Sequence, residues 1–241
     1  MEAKANVIGV PGRGLVDASW AASQEVAEIG RRGEVLTAAV LDRLARPGGP
    51  TVLHDLILPT SSGVRVNVDH VVVSGRKVVL VDSKCWQLGR YWTALGRTRR
   101  GLKPVPHADK RGGVAALGNL ERCLVGCRAM VVGPVYVIWP SSKSSADRLS
   151  VRWYRPAAGW AMTGRQFARK AARLVGDAPA DPRIVAALVP LVVSVRKGHA
   201  RAAAGRRSAR RVPTPAQAWW PEVDDDSDGW PDFGDPYTTG S

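Results

Sequence analysis

Two aspartates and a lysine that could do chemistry together stand in two valine-rich runs, Val68–Val73 and Lys77–Lys84. Asp69 lies in the first run, and Asp82 and Lys84 close the second. Residues two apart on a strand point to the same face of a sheet, so Asp82 and Lys84 project together. Two carboxylates can hold Mg²⁺ or Mn²⁺, and a lysine ammonium can stabilise charge that develops on a phosphate. These residue types indicate metal-dependent hydrolysis of phosphodiester bonds.

The spacing of the two runs also predicts where Asp69 lies relative to Asp82. Ser74-Gly75 is a two-residue turn signal, so the runs are predicted to form an antiparallel hairpin. With this turn, Asp69 pairs with Leu80 and lies on the face of Asp82, one diagonal step away. Diagonal neighbours have Cα atoms roughly 7–8 Å apart, which lets two carboxylates share one divalent ion.

A simpler interpretation is that Asp82 and Lys84 form an ion pair on a solvent-exposed face. The run Lys77–Val81, however, is nearly all apolar. Such a run is typical of a central strand that is covered on both faces. The charges begin only at its carboxyl end, where a buried strand would emerge into a cleft, and this favours a functional role.

The elements that would position these residues follow from hydrophobic periodicity and from Gly and Pro punctuation. A helical pattern comes first, and Gly30 and Gly33 leave open whether it is one helix or two. Three strands, a second helix and a fourth strand follow, and then a fifth strand and two further helices. The predicted ranges, in order, are Ala21–Ala45, Thr51–Leu58, Val64–Val73, Lys77–Lys84, Lys110–Leu124, Met130–Trp139, Leu149–Tyr154, a helix after Thr163-Gly164 and one from Asp181-Pro182.

The charge of the chain indicates a polyanionic partner. The formal net charge is +14 and the isoelectric point is about 10.5. Residues 84–113 and 143–173 each hold eight basic residues against one acidic residue. Aromatic residues among them could stack on bases, although such residues are more often part of a hydrophobic core. These aromatic residues are Trp86, Tyr91, Trp92, Trp153, Tyr154 and Trp160. We therefore expect a nucleic-acid partner, with DNA favoured.

Composition divides the chain into three parts. Residues 1–20 are predicted to be a flexible arm, 21–195 an α/β domain, and 196–241 a disordered tail that is first basic and then acidic. The three cysteines suit a reducing cytoplasm with buried thiols. The amino-terminal residues lack the pattern of a secretory signal, and no apolar run is long enough to span a membrane.

Several motifs of the chain, in this order, resemble the nuclease-related domain (NERD) family. They are Gly33-Glu34, Val52-Leu53-His54-Asp55-Leu56, Val68-Asp69-His70-Val71-Val72-Val73, and Asp82-Ser83-Lys84 with Trp86. That family is grouped with the PD-(D/E)xK phosphodiesterases, whose core is helix, three strands, helix, strand. The resemblance covers about residues 25–140 and implies a restriction-endonuclease-like α/β core, with C-terminal helical additions in this chain.

The resemblance also implies roles for individual residues. Glu34 and Asp69 would be metal-associated acids, and Asp82 and Lys84 would form the central motif. Gly33 would allow the first helix to approach the sheet closely. The implied catalytic set is therefore Glu34, Asp69, Asp82 and Lys84, with the three acids as ligands of Mg²⁺ or Mn²⁺. His70 points to the opposite face from Asp69 and is expected to be a hydrogen-bonded structural residue.

Two other functions remain open from the sequence. The chain could be a DNA-binding accessory protein that keeps a nuclease-like fold without cleavage. The complete set of acids and lysine counts against this, because a degenerate site would usually have lost a member. An RNA-directed nuclease is the other alternative, and nothing in the sequence excludes it.

Overall fold

A six-stranded mixed sheet carries the predicted site residues. The computed structural model describes residues 6–13, 24–60, 65–109, 112–142 and 148–194. Within these ranges the sheet has the strand order β1-β2-β3-β4-β8-β10. Strands β2, β3 and β4 are consecutive and antiparallel, whereas β8 runs parallel to β4 and β10 runs parallel to β8. The bounds are β1 Val7–Ile8, β2 Thr51–Pro59, β3 Arg65–Ser74, β4 Lys77–Trp86, β8 Met130–Pro140 and β10 Trp160–Thr163.

Helices cover both faces of this sheet. Helix α1 (Gln24–Leu41) and helix α3 (Gly164–Val175) pack on one face through a core that includes Leu41, Val79 and Phe167. Helix α2 (Gly112–Cys123) and helix α4 (Pro182–Leu188) pack on the other face. Short 3₁₀ helices occur at Pro106–Asp109 and Val189–Leu191. Covering both faces explains why β4 reads as a continuous apolar run, since Val78 to Val81 are all buried.

The predicted order of helix, three strands, helix and strand is present, and so are the two later helices. Helix α1 is continuous through both of its interior glycines, which answers the question of one helix or two. Helix α3 begins with a capping box between Thr163 and Gln166, and Asp181 caps α4. These caps satisfy amide groups that a helix leaves without partners at its first turn. None of the helices within the described ranges is long and apolar enough to cross a membrane.

The hairpin turn between β3 and β4 differs from the prediction. Ser74 pairs with Lys77, so the two turn residues are Gly75 and Arg76 rather than Ser74-Gly75. Gly75 has a φ of 55°, a conformation that a glycine adopts without strain at the first position of a tight turn. Ser74 stays in the strand, where its hydroxyl accepts a hydrogen bond from the amide of Ala178 at 3.1 Å.

A second, four-stranded sheet occupies part of the basic stretch for which no strands were predicted. Its order is β7-β6-β5-β9, and its bounds are β5 Gly89–Ala94, β6 Arg97–Arg100, β7 Lys103–Pro104 and β9 Leu149–Trp153. Only β9 was predicted. The other three strands are two to six residues long and contain many arginines, so they show little of the alternation by which strands are recognised.

The structure describes part of the predicted amino-terminal arm but none of the predicted carboxy-terminal tail. Within the predicted flexible arm, Val7–Ile8 forms β1 and pairs in parallel with Val52–Leu53 of β2. This part of the arm is therefore structured, because its backbone completes the edge of the sheet. The predicted disordered tail, residues 196–241, lies outside the described residues.

Candidate active site

A row of carboxylates crosses three neighbouring strands. The pairs on either side, His54 with His70 and Leu56 with Val68, place Asp55 opposite Asp69 in register. On the other side of β3, the register that pairs His70 with Val81 places Asp69 opposite Asp82 at the next position. Residues directly opposite each other on antiparallel strands share a face. The observed turn therefore brings Asp69 and Asp82 closer than the predicted diagonal arrangement.

Lys84 forms an ion pair with Asp82. Its ammonium donates to both carboxylate oxygens, at 2.8 and 2.9 Å. The two side chains are 41% and 25% exposed, so the pair lies at the mouth of the site rather than in the core. Burial would lower the pKa of Lys84, but Asp82 and Asp69 raise it above its ordinary value. The lysine is therefore held as a cation.

Asp69 is the buried member of this row, with 9% of the residue exposed. Burial and the neighbouring charge of Asp82 raise its pKa to about 7, against the lowering effects of Lys84 and of a backbone amide. That amide belongs to Ser83 and donates to the Asp69 carboxylate at 2.7 Å. Asp69 is therefore fixed in place by the strand that carries Asp82.

Glu34 reaches the same cluster from helix α1. The residue is 6% exposed, and burial together with the charges of Asp69 and Asp55 raises its pKa to about 9. Its carboxylate accepts a hydrogen bond from the amide of Gly12 at 2.9 Å. Helix α1 passes close to β4 at Gly33, where an added Cβ would lie only 3.0 Å from the sulfur of Cys85. The structure thus brings Glu34, Asp69, Asp82 and Lys84 into one electrostatic cluster.

Two residues of the cluster were not singled out from the sequence. Asp55 is 2% exposed, has a φ of 56° and raises the pKa of both Glu34 and Asp69. Tyr136 of β8 pairs with Asp82, and burial and that carboxylate raise its pKa to about 12. A carboxylate in an apolar strand was the available signal for Asp55, and a lone tyrosine among valines was the signal for Tyr136.

The opposite face of β2, β3 and β4 holds a buried chain of hydrogen-bonding side chains. His54 Nε2 lies 2.9 Å from Asp42 Oδ1, and the Nδ1 atoms of His54 and His70 are 2.8 Å apart. His70 Nε2 lies 3.0 Å from the hydroxyl of Ser83, which lies 2.8 Å from the hydroxyl of Thr37. His70 is therefore a hydrogen-bonded buried residue, as expected from the sequence. The amide of Ser83 also donates to Asp69. This row of hydrogen bonds therefore helps to position the Asp69 carboxylate on the other face of the sheet.

The number of protons that these hydrogen bonds need bears on the protonation of the two histidines. The four contacts of the chain and the bond from Thr37 Oγ1 to the carbonyl of Gly33 each need one proton, which makes five. Two neutral histidines and two hydroxyls supply four. Burial and the proximity of His54 lower the pKa of His70 well below its ordinary value. His70 is therefore a neutral ring that donates from only one of its two nitrogens.

Removing the hydroxyl of Ser83 should destabilise the protein. Ser83→Ala removes the hydrogen bonds that the Ser83 hydroxyl makes with His70 Nε2 and with the hydroxyl of Thr37. Loss of one partner of a buried polar group typically costs about 1–3 kcal/mol. We expect a decrease of this size in the free energy of unfolding measured by urea denaturation. Ser150→Ala, on the half-exposed part of β9, is the matched control and should change it by less than about 0.5 kcal/mol.

The aromatic residues of the basic stretches divide into two groups. Trp86, Tyr91 and Tyr154 are at most 5% exposed and pack on one another, with ring centroids of Trp86 at 4.7 Å from Tyr91 and 5.1 Å from Tyr154. They belong to the core between the two sheets and cannot stack on bases. Trp92 and Trp153 face outward, and Trp153 is 54% exposed. Trp160, at the start of β10, is also exposed.

The donor set of the cluster fits a hard cation in chemistry. It consists of carboxylate oxygens, which Mg²⁺ and Mn²⁺ prefer, and burial together with mutual repulsion keeps the pKa of Asp69 and Glu34 high. Within the described ranges, no group of three or more His, Cys, Asp or Glu side chains is arranged closely enough to hold a metal ion. Two carboxylates are nevertheless enough for Mg²⁺, because this ion is usually bound through one or two carboxylates and keeps several waters.

Comparison with known proteins was made with family models, curated proteins and solved structures. The model of the nuclease-related domain (NERD) matches residues 29–134. No curated protein and no solved structure matches the chain. The matched range includes α1 from Ile29 onward, β2 to β7, α2 and the start of β8. It therefore contains Glu34, Asp55, Asp69, Asp82 and Lys84. This match at residues 29–134 agrees with the family that the sequence motifs indicated.

Proposed function

We propose that the chain is a metal-dependent nuclease that hydrolyses phosphodiester bonds, with DNA as the favoured substrate. The observation that carries this proposal is the row of carboxylates beside an ion-paired lysine, inside a nuclease-related domain. A purely structural role does not account for this row, because burying like charges together costs free energy. A site that must recruit a cation does account for it.

Asp69 and Asp82 are the residues that would hold the ion, with Glu34 as a further acid of the same electrostatic cluster. When bound, Mg²⁺ or Mn²⁺ supplies Lewis-acid polarisation of a phosphoryl oxygen and lowers the pKa of a coordinated water. The partial exposure of Asp82 leaves a side of the site open to a substrate. The amide of Ser83 keeps the Asp69 carboxylate oriented while the substrate enters.

Lys84 and Tyr136 would act on the substrate as donors. Lys84 is held as a cation, and its 41% exposed side chain can reach from Asp82 to a phosphate oxygen on which charge develops. The raised pKa of Tyr136 keeps its phenol protonated at neutral pH, so the hydroxyl can only donate to an anion. Both groups favour the charged transition state over the free substrate.

The order of elements around this site supports a core of the restriction-endonuclease-like type, with PD-(D/E)xK chemistry. In that interpretation Asp69, Asp82 and Lys84 form the motif on β3 and β4. Binding without cleavage is the second candidate function. It is favoured by one observation, the close contact of Lys84 with Asp82, which occupies a carboxylate that a metal would need.

The purified protein should cut nucleic acid only when a divalent ion is present. The test incubates it with plasmid, linear duplex, single-stranded DNA and RNA, each with Mg²⁺, with Mn²⁺ and with EDTA. We expect cleavage of DNA with either ion and none in EDTA. An Asp82→Ala protein purified in parallel controls for contaminating nucleases. Binding of DNA without cleavage under every metal condition would instead support the second candidate, and cleavage of RNA alone would overturn the choice of DNA.

A further inference from the structure

The second sheet is strongly basic. Residues 89–104 and 148–155, which contain its four strands, hold eight Lys or Arg residues and no Asp or Glu. Such a one-sided charge attracts phosphates, because each neutralised phosphate releases condensed counterions. The charge belongs to a folded sheet rather than to an unstructured segment, so the phosphates would be bound at defined positions.

The two faces of this sheet differ in composition. The inner face carries buried residues, such as Tyr91, Leu149 and Val151, that pack against Ile138 of the main sheet. The strand register places Trp92 opposite Arg99 and Ala94 opposite Arg97, on the outer face. The outer face therefore presents two tryptophans among arginines: Arg90, Trp92, Arg97, Arg99 and Trp153. The register irregularity between β5 and β9 leaves Arg152 beside Trp153.

The two tryptophans are neighbours, and contacts with nearby residues orient their rings. Trp92 pairs with Trp153 across β5 and β9. The indole N–H of Trp92 donates to the carbonyl of Gly101 at 2.8 Å, which fixes the orientation of its ring. The guanidinium of Arg152 lies 5.2 Å from the ring centroid of Trp153. A tryptophan that is 54% exposed leaves a large apolar surface in water, which is typical of a binding site rather than of a core.

We infer that the outer face of the second sheet binds single-stranded nucleic acid, with bases stacked on Trp92 and Trp153 and phosphates on the surrounding arginines. A duplex buries the faces of its bases, so the outward-facing indoles would contribute little to binding it. An acidic protein segment would use the arginines but would leave the indole surfaces unused. Only an unpaired strand uses both features of the face.

The position of this face relates it to the candidate active site. Gly89, the first residue of the sheet, follows Lys84 by five residues, which span at most about 17 Å of extended chain. The sheet is joined to the end of β4 through the contacts of Trp86 with Tyr91 and Tyr154. The second sheet therefore begins close to the candidate active site along the chain and is packed against the strand that carries it. The inference rests on the proposed function only for the role of the bound single strand as substrate.

Binding is measured by fluorescence anisotropy in EDTA, where metal-dependent cleavage does not occur, with a labelled 20-nucleotide DNA and the matching duplex. We expect the wild-type chain to prefer the single strand. Trp153→Ala should weaken binding of the single strand about 10-fold, since one stack on a base contributes about that factor. Trp153→Phe should retain most of the affinity because it retains an aromatic ring.

The arginines are tested by the salt dependence of binding. Arg90→Gln with Arg97→Gln should reduce the slope of log K against log salt by about 1.4 for the single strand, or about 0.7 for each lost contact. Arg169→Gln with Arg173→Gln makes the same change of charge on exposed positions of α3 and should leave the slope unchanged.

Three results would overturn the inference: an equal decrease of the salt slope in the α3 control, unchanged single-strand affinity in Trp153→Ala, or tighter binding of the duplex. Displacement of the single strand by an equimolar poly-glutamate peptide would point instead to an acidic protein partner and would also overturn it. Failure of the proposed function looks different. In that case the expected binding pattern is retained, but no strand is cut in Mg²⁺ or Mn²⁺.

Discussion

Replacing Asp82 with alanine is expected to lower metal-dependent cleavage at least ~100-fold, because the change removes a carboxylate that would hold the ion. Asp82 lies at the end of a buried strand with 25% of its side chain exposed, so little core volume is lost. Its partner Lys84 is 41% exposed and can be solvated when left alone. We therefore expect the free energy of unfolding to change by less than about 1 kcal/mol. Initial rates of plasmid cleavage and urea denaturation measure the two quantities.

A matched aspartate and the adjacent lysine make this test specific. The side chain of Asp177 is 88% exposed and lies outside the cluster. The Asp177→Ala protein should therefore cleave plasmid DNA at the wild-type rate. Lys84→Ala should lower turnover while Mg²⁺ still raises the melting temperature, because the lysine acts on substrate charge and does not hold the ion. Cleavage by Asp82→Ala at the wild-type rate would remove Asp82 from the proposed mechanism.

The shared face of Asp69 and Asp82 could be predicted although the predicted turn was wrong. Moving the turn from Ser74-Gly75 to Gly75-Arg76 shifts the sum of paired residue numbers from 149 to 151. The shift is even, so every side chain keeps its face, because alternation along a strand has a period of two. Which residues share a face was therefore predictable from alternation. The residue directly opposite Asp69 depended on where the turn falls, and the contacts of Ser74 with residue 178 that hold the turn involve distant sequence.

Asp55 and Tyr136 illustrate what sequence patterns could not supply. Asp55 joins the cluster through the pairing of β2 with β3, whose register was not predictable from a short turn signal. Tyr136 joins it because β8 lies parallel to β4 after a connection that includes β5, β6, β7 and α2. Contacts between strands that are distant in sequence depend on packing of the complete core. The buried chain from Asp42 to Thr37 was hidden for the same reason, except for the structural role of His70.

The carboxylate cluster should also make the stability of the metal-free protein depend on pH. The pKa of Glu34 is raised to about 9, and that of Asp69 to about 7, chiefly by burial and by neighbouring carboxylates. For an acid whose pKa is raised by folding, the folded state binds more protons than the unfolded state between the two pKa values. Stability then falls as pH rises through that window, by up to about 1.4 kcal/mol per pH unit for each proton. The window runs from about pH 4 to about pH 7 for Asp69 and to about pH 9 for Glu34.

Glu34→Gln should remove much of this dependence. In EDTA at pH 8 the variant is expected to be more stable than the wild type, whereas the two should be nearly equal near pH 4, where both states of the wild type hold the proton. The difference between the two proteins isolates Glu34 from all other titrating groups. Glu25→Gln, an exposed position in the first turn of the same helix, is the matched control and should follow the wild type at every pH.

Addition of Mg²⁺ should reverse the loss of stability at high pH. A cation binds the ionised carboxylates, so its binding releases protons and strengthens as pH rises. At 100 times its dissociation constant the ion would stabilise the wild type by about 2.7 kcal/mol. Thermal unfolding at pH 5 and pH 8, with Mg²⁺ and with EDTA, should show this gain at pH 8, with a smaller gain in Glu34→Gln and almost none in Asp69→Asn. If Mg²⁺ leaves the melting temperature unchanged at pH 8 while the wild type loses stability with rising pH, the carboxylates repel one another but do not bind the ion. The metal-dependent mechanism would then be wrong even though the electrostatic description of the cluster holds.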